Sequence, residues 1–192
     1  RQRQMCIRDS SVADVAGSGF HDRADVDPPV SWLPIVLALV IAQRLGELWL
    51  AARNTRRLKA QGAVEYGAGH YPLFVVLHAA WIATIAGLTP WTTTPSASLL
   101  LIYLVLQGAR IWVIATLGPF WTTRIISLSG APLVRNGPYR FIRHPNYWIA
   151  SLEIAVLPLA FGQIGIALVF SLLNALLIAY RVRIENAALA AR

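Results

Sequence analysis

The sequence predicts an all-α integral membrane protein of about five transmembrane helices, the last two folded as a C-terminal helical hairpin. Three observations carry this expectation. Of 192 residues, 56% are hydrophobic and 14% are charged, against about 45–50% and 25% in soluble domains, and mean hydropathy is +0.54. Four apolar blocks dominate the chain beyond residue 30. The segments that join them alternate between basic and uncharged, as the positive-inside rule requires of cytoplasmic and external loops.

The elements follow in order. Residues 1–29 hold five of the nine acids and four Arg. This stretch has no apolar core of the kind a signal peptide needs and ends in Pro28-Pro29, so it reads as a disordered tail. Its first ten residues, RQRQMCIRDS, read as foreign to the natural gene product. Residues 30–192 form the membrane domain. The block 31–51 is long enough to cross a hydrocarbon core of about 30 Å, as are 72–90 and 97–118. The fourth block, 147–180, is too long for one span and breaks at Pro158 and at Phe161-Gly162-Gln163. It reads as two arms, 147–161 and 163–180, the first short enough that the turn is expected to stay submerged.

Thirteen basic residues against four acids lie beyond the tail. Arg53, Arg56, Arg57 and Lys59 fall in the 53–71 loop, and Arg124, Arg135, Arg140 and Arg143 in the 119–146 loop. Arg181, Arg183 and Arg192 lie at the C-terminus, and the 89–98 loop has no charge. The N-terminus is therefore expected outside, with both basic loops and the C-terminus cytoplasmic. In so apolar a chain this basicity reads as topology, not as nucleic-acid binding. The single cysteine, Cys6, excludes an internal disulfide framework and a Cys-based metal site.

Charges inside apolar spans are expensive and mark pairing or function. Arg44 and Glu47 are i,i+3 on one helix, while Arg110 and Glu153 fall within the third and fourth spans. These groups either pair between helices and fix their rotation, or line a polar cavity open to the cytoplasm. His70 and His78 share one span, so the facing ligands a haem needs are missing, and no metal is expected.

The most informative stretch is 118–147. It opens with an alternating segment, breaks at Gly130 and Pro132, and turns at Asn136-Gly137-Pro138. Arg143-His144-Pro145-Asn146-Tyr147 then leads directly into a span. Pro145 should hold His144 extended and open the following helix. By composition alone, this is a basic loop binding membrane lipid headgroups with interfacial aromatics.

The run Gly137-Pro-Tyr-Arg-Phe-Ile-Arg-His-Pro-Asn-Tyr147, however, resembles the G-x-Y-x-x-x-R-H-P-x-Y signature of the isoprenylcysteine carboxyl methyltransferase family. Arg181-Val-Arg-Ile-Glu185 is similar to that family's C-terminal Arg/Glu segment. Gln43-Arg44-Leu-Gly-Glu47, Arg53-Asn54 and Gly69-His70-Tyr71-Pro72 resemble a bacterial branch acting on lipophilic polyketides such as alkylpyrones. The resemblance implies a membrane methyltransferase that uses S-adenosylmethionine, bound by a cytoplasmic loop, and that methylates a lipophilic or lipidated acceptor. By position it places backbone groups of Ala131, Pro132, Leu133 and Val134 along the cofactor. It adds Tyr139, the His144-Pro145-Asn146-Tyr147 run, Glu185 and Arg124 as cofactor contacts, and sets Arg181 against the acceptor. The chain departs from the family pattern at Ala131, where eukaryotic members have His, and at Ile149, where Gly is usual.

Arg181 and Glu185, one helical turn apart, suit an anionic acceptor and a cationic methionine ammonium respectively. They also suit a surface ion pair worth about 0–1 kcal/mol. A carboxylate acceptor needs no base, whereas a phenolic or enolic hydroxyl does, and Arg181 or His144 could serve it. No Asp-His dyad is evident in the sequence. Gly67-Ala-Gly69, the one soluble-type glycine turn, is rejected for want of a preceding strand. Two other readings stand beside methyl transfer. Asn146-Tyr147 also fits NADPH-dependent sterol-type membrane reductases, although Pro145 and Gly137-Pro138-Tyr139 fit the methyltransferases better. A small transporter or scaffold would need no soluble cofactor.

Overall fold

The computed structural model describes residues 31–131 and 134–190. The tail over 1–29, Pro132 and Leu133 lie outside the described residues. Five helices occur in the expected order: α1 (Trp32–Ala60), α2 (Tyr71–Leu88), α3 (Ala97–Leu117), α4 (Pro145–Ala160) and α5 (Ile164–Ala190). Among the described residues α1, α2, α3 and α5 are long and apolar enough to cross a membrane. α4, with 16 residues, is about 24 Å long at 1.5 Å per residue and falls short of a full crossing. The protein is thus an all-α integral membrane protein, with four spanning helices and one short arm.

α1 runs well past its expected end at 51 because 47–60 contains neither Gly nor Pro. It stops where Gly62 takes φ +89° and its N–H returns to the Lys59 carbonyl at 3.0 Å, a left-handed close that favours glycine. α5 likewise continues beyond 180, so Arg181 and Glu185 ride on a continuous helix. The core gathers Leu33, Leu37, Leu77, Trp81, Ile85, Tyr103, Ile154, Leu157 and Phe170 from all five helices. Leu39, Val76, Leu104, Leu168 and Leu172 are exposed, as a lipid-facing surface requires. Inside α4, Pro158 lacks the N–H that would bond the Ile154 carbonyl. Trp81 of α2 takes that place, its Nε1 donating to the carbonyl at 3.2 Å.

The α4–α5 turn lies against the start of α3. The Ser96 N–H donates to the Ala160 carbonyl at 2.8 Å, which ties this turn to the start of α3 beside the uncharged 89–98 loop. The other end of α4 is at His144-Pro145. Residues 118–144 fold back along the last turns of α3 to reach it. There Gly137 has φ +54°, and a Cβ on it would sit 2.8 Å from Thr116 Oγ1 and 3.4 Å from Trp112 Nε1. Only glycine fits this approach.

A feature not expected from the sequence is a small antiparallel ribbon, β1 (Val64–Tyr66) paired with β2 (Ile125–Ser127), with Glu65 opposite Ile126. It joins the two basic loops. It also supplies the strand whose absence counted against Gly67-Ala-Gly69. A three-residue antiparallel ribbon is still not the parallel β-α-β unit in which such a glycine turn binds a nucleotide.

Candidate active site

Pro145 begins α4 as expected, with His144 as its non-helical cap at φ −129°, ψ 62°; the ψ value is lower than a fully extended residue would have. Two residues on, Tyr147 points its ring to the C-terminal part of α5. Arg181 Nε donates to the Tyr147 hydroxyl at 2.8 Å, and that hydroxyl donates to Glu185 Oε2 at 2.7 Å. Arg181 and Glu185 are therefore not a simple surface ion pair: a phenol sits between them. Arg181 is buried at 8% exposure. Its Nη1 donates to the Thr123 carbonyl at 2.8 Å, and its guanidinium lies 5.4 Å from the Phe74 ring.

His144 stacks on Tyr147, with ring centroids 5.2 Å apart and planes 10° from parallel. Its Nδ1 lies 3.7 Å from Glu185 Oε2, a carboxylate–imidazole neighbourhood that no local spacing in the sequence reveals. Burial, followed by the Glu185 charge, pushes the Tyr139 phenol well above its ordinary range, so Tyr139 stays neutral. Loop, α4 and α5 thus converge on one cluster of Tyr139, His144, Tyr147, Arg181 and Glu185.

Beneath this cluster is a cavity of about 500 Å³, walled mainly by apolar side chains of α1 and α2. Asn146, Tyr147 and Arg181 line its loop end, with Trp121, Thr122 and Thr123. Tyr147 and Arg181 are shared: they face the cavity and also hold the cluster that contains His144 and Glu185, neither of which lines it. The cavity is walled on both sides where α1 and α2, which touch only sparsely, stand apart. Ile41 and Leu45 face Val75, Ala79 and Ile82 there.

Not every expected contact joins this group. Arg124 is engaged elsewhere: its Nη1 donates to Glu65 Oε1 at 2.6 Å, and its guanidinium lies 4.4 Å from the Tyr71 ring. Glu65 also accepts from Lys59. Burial pushes the Glu65 carboxyl up, but the hydrogen bonds and charges of Lys59 and Arg124 outweigh it and hold the group below its usual range. Ala131 donates its N–H to the Leu128 carbonyl at 3.2 Å. Val134 lines a separate shallow recess with Arg135, Asn136 and residues 115–120. Pro132 and Leu133, placed along the cofactor by resemblance, lie outside the described residues.

The intramembrane charges pair between helices, and three of them also line the cavity. Glu153, fully buried, accepts from Arg110 Nε at 2.8 Å and from Gln107 at 3.1 Å, and pairs with Arg44 at 2.5 Å. Arg44 reaches Glu47 at 3.0 Å, and Arg110 reaches Glu47 at 3.3 Å. Arg110 Nη1 also lies 3.5 Å from Asn146 Oδ1, tying the network to the RHPNY run. Gln43 and Gln107, bonded to each other at 2.6 Å, complete it. Two guanidiniums balance two carboxylates, and Arg44, Glu47 and Arg110 form a fixed polar wall of the cavity. The sequence signal was there: Gln43 and Gln107 each lie within four residues of these charges in otherwise apolar spans. Among the described residues no group of three or more His, Cys, Asp or Glu could hold a metal ion.

Comparison with known proteins bears on the loop and hairpin directly. Residues 99–191 match the isoprenylcysteine carboxyl methyltransferase (ICMT) family, a stretch that contains every residue of the Tyr147-centred cluster. The chain is 35% identical over 162 residues to a Bacillus subtilis (strain 168) protein described as uncharacterized protein YpbQ, covering 82% of this chain and 95% of that one. No solved structure matches it. The matched stretch spans α3, α4 and α5 with the loop before α4, and the chain belongs to the ICMT family of membrane methyltransferases.

Proposed function

We propose that the protein is an S-adenosylmethionine-dependent O-methyltransferase acting on a lipophilic acceptor held in the cavity between α1, α2 and α5. One observation carries this reading. Tyr147 and Arg181 separate an apolar cavity from a cluster containing a carboxylate and a stacked imidazole–phenol pair, so a lipid and a soluble cofactor can meet across them.

The residues present fit the cofactor. Glu185 is 28% exposed on its side chain and accepts only one hydrogen bond among the described residues, which leaves a carboxylate for a cationic ammonium. The faces of His144, Tyr147 and Tyr139 favour a nearby cation. S-adenosylmethionine, when bound, supplies a methyl group on a sulfonium. Arg181, fixed by Thr123 and Tyr147, orients the acceptor oxygen and favours its anionic form. His144, next to Glu185, can take the proton of a hydroxyl acceptor, while a carboxylate acceptor needs none. Apolar walls exclude water, and positioning supplies much of the acceleration. The acceptor's apolar tail leaves between α1 and α2 into the membrane. The basic 53–71 and 118–144 segments face the cytoplasm, where the cofactor is found, with the N-terminus outside.

Titration calorimetry on detergent-purified protein tests the reading. S-adenosylmethionine is expected to bind to the wild type and not to Glu185→Ala, whose helical circular dichroism is unchanged because the site is near a helix end. Binding of NADPH without S-adenosylmethionine would overturn it. Lipid extracts from expressing cells should contain a species heavier by one CH₂.

A further inference from the structure

Asn54 is buried at 7% exposure in the last turns of α1, and the proposed chemistry does not use it. Its neighbour Arg53 is exposed and lies 5.9 Å from the Trp49 ring, so of this pair it is Asn54 that faces the protein. A side-chain amide nitrogen carries two protons. Asn54 Nδ2 donates to the Gly118 carbonyl at 3.1 Å and to the Trp121 carbonyl at 2.9 Å, so both protons are in use. The Gly118 carbonyl also accepts from the Trp121 N–H at 3.1 Å. One side chain on α1 therefore clamps both ends of the 118–121 turn that follows α3.

That turn leads directly to the site. Trp121 is buried at 2% exposure, and Trp121, Thr122 and Thr123 line the loop end of the cavity. Thr123 follows Trp121 by two residues, a chain length of about 7 Å at most. Its carbonyl accepts from Arg181 Nη1 at 2.8 Å, and Arg181 Nε donates to the Tyr147 hydroxyl at 2.8 Å. Beyond Thr123 the chain is held by Arg124 on Glu65 and by the β1–β2 ribbon; before it, the tie is Asn54. Each link from Asn54 to Arg181 is thus a hydrogen bond of ordinary length or a run of two residues.

We propose that Asn54 is a positioning residue for Arg181. By fixing the 118–121 turn it sets where the Thr123 carbonyl stands, and that carbonyl holds the guanidinium against Tyr147 at the cavity wall. The consequence for turnover rests on the reading that Arg181 orients the acceptor. A buried guanidinium that loses its carbonyl partner turns toward water, because an unmade bond in a buried site costs more than the made bond contributes. A misplacement of about 1 Å at a reacting centre can cost about 100-fold in rate.

Two measurements test this. Phenylglyoxal, which modifies accessible guanidiniums, is applied to the detergent-purified protein, and each Arg is read by mass spectrometry. In the wild type, Arg181 and Arg110, both buried, are expected to be protected, and the exposed Arg140 and Arg143 to react. Asn54→Leu, close in volume but without donors, should speed modification of Arg181 about tenfold, the effect of one or two hydrogen bonds. Arg110, held by Glu153 in a separate network, should stay protected in that variant. Asn54→Gln, which keeps the amide, should protect Arg181 in part. Equal reactivity of Arg181 in wild type and Asn54→Leu would overturn the proposal. So would Arg110 and Arg181 opening together, since Asn54 would then serve the fold as a whole. The second measurement follows tritium from S-adenosyl-L-[methyl-³H]methionine into the lipids of membranes from expressing cells. Asn54→Leu should lower turnover about tenfold and leave the KM for S-adenosylmethionine nearly unchanged. A reactive Arg181 in Asn54→Leu, with no methyl transfer even by the wild type, would leave the tie standing and sink the methyl-transfer reading. Methyl transfer by wild type and Asn54→Leu at the same rate would do the reverse.

Discussion

Tyr147 is the residue on which both sides of the proposed site, cofactor and acceptor, would depend together. Its hydroxyl is held by a cation on one side and an anion on the other, and hydrogen bonds to charged groups are worth about 1.5–3 kcal/mol each. Tyr147→Phe keeps the ring that stacks on His144 and removes both bonds. Of its hydrogen bonds Arg181 then keeps the one to Thr123, and Glu185 loses its donor. Methyl-transfer turnover is expected to fall about 10- to 100-fold, with a smaller change in the melting midpoint, read by a radiolabelled methyl assay beside a thermal scan. A variant within twofold of wild type would remove Tyr147 from the site's machinery. The motif pointed to Tyr147, Arg181 and Glu185 individually, because each lies in a recognisable run. It could not show the phenol between them, since residues 147 and 181 meet only through the packing of α4 on α5. Arg124 shows the opposite case, a motif position whose side chain is taken by Glu65, a partner nearly sixty residues earlier that local spacing does not reveal.

At the scale of elements, the spans were legible and their joints were not. Apolar length and the breaks at Phe161-Gly162 mark each helix, because a membrane accepts little else. The β1–β2 ribbon was missed because three residues carry no periodicity and its strands come from two separate loops. The ribbon's anchor is Glu65 with Lys59 and Arg124. Its carboxyl is held below the ordinary range, so the stability it adds is complete above about pH 4.3, the usual Glu value. That stability is lost as pH falls through the lowered folded value. Hydrogen exchange should show residues 64–66 and 125–127 protected at pH 7 and opening under acid before the helices, with Glu65→Gln open already at pH 7. The helix joints depend instead on Glu153, which draws α1 and α3 onto α4. Glu153→Ala strands Arg110 and Arg44 with Glu47 alone. Removing one member of a buried pair costs about 3–5 kcal/mol, so a marked drop in the melting midpoint is expected. An unchanged midpoint would mean that the network does not set helix packing.

For the whole molecule, charge and the length of α4 bear on the same question: where the site sits relative to the membrane. The Ser96–Ala160 bond sets the α4–α5 turn level with the start of α3, so α4 ends short at the motif. The basic segments surround that recessed end. If the positive-inside rule governs orientation, the uncharged 89–98 loop and the α4–α5 turn share the external face, and the cluster around Tyr147 lies below the cytoplasmic surface. Single cysteines in a Cys6→Ser background distinguish the arrangements. Thr92→Cys and Gln163→Cys should react with a membrane-impermeant maleimide in intact cells, and Gln61→Cys only after permeabilisation. Labelling of Gln61→Cys in intact cells would invert the topology and turn the cofactor cluster away from the cytoplasm, where S-adenosylmethionine is found. Labelling of Thr92→Cys without Gln163→Cys would put the turn back inside the bilayer and the motif at the surface. In the arrangement with the turn on the external face, α4, at 16 residues, is too short to carry Tyr147 to the water. The loop before α4, held against the end of α3 at Gly137, then descends to meet it, and under the proposed reaction it would bring a soluble cofactor to the mouth of the cavity lined by α1 and α2.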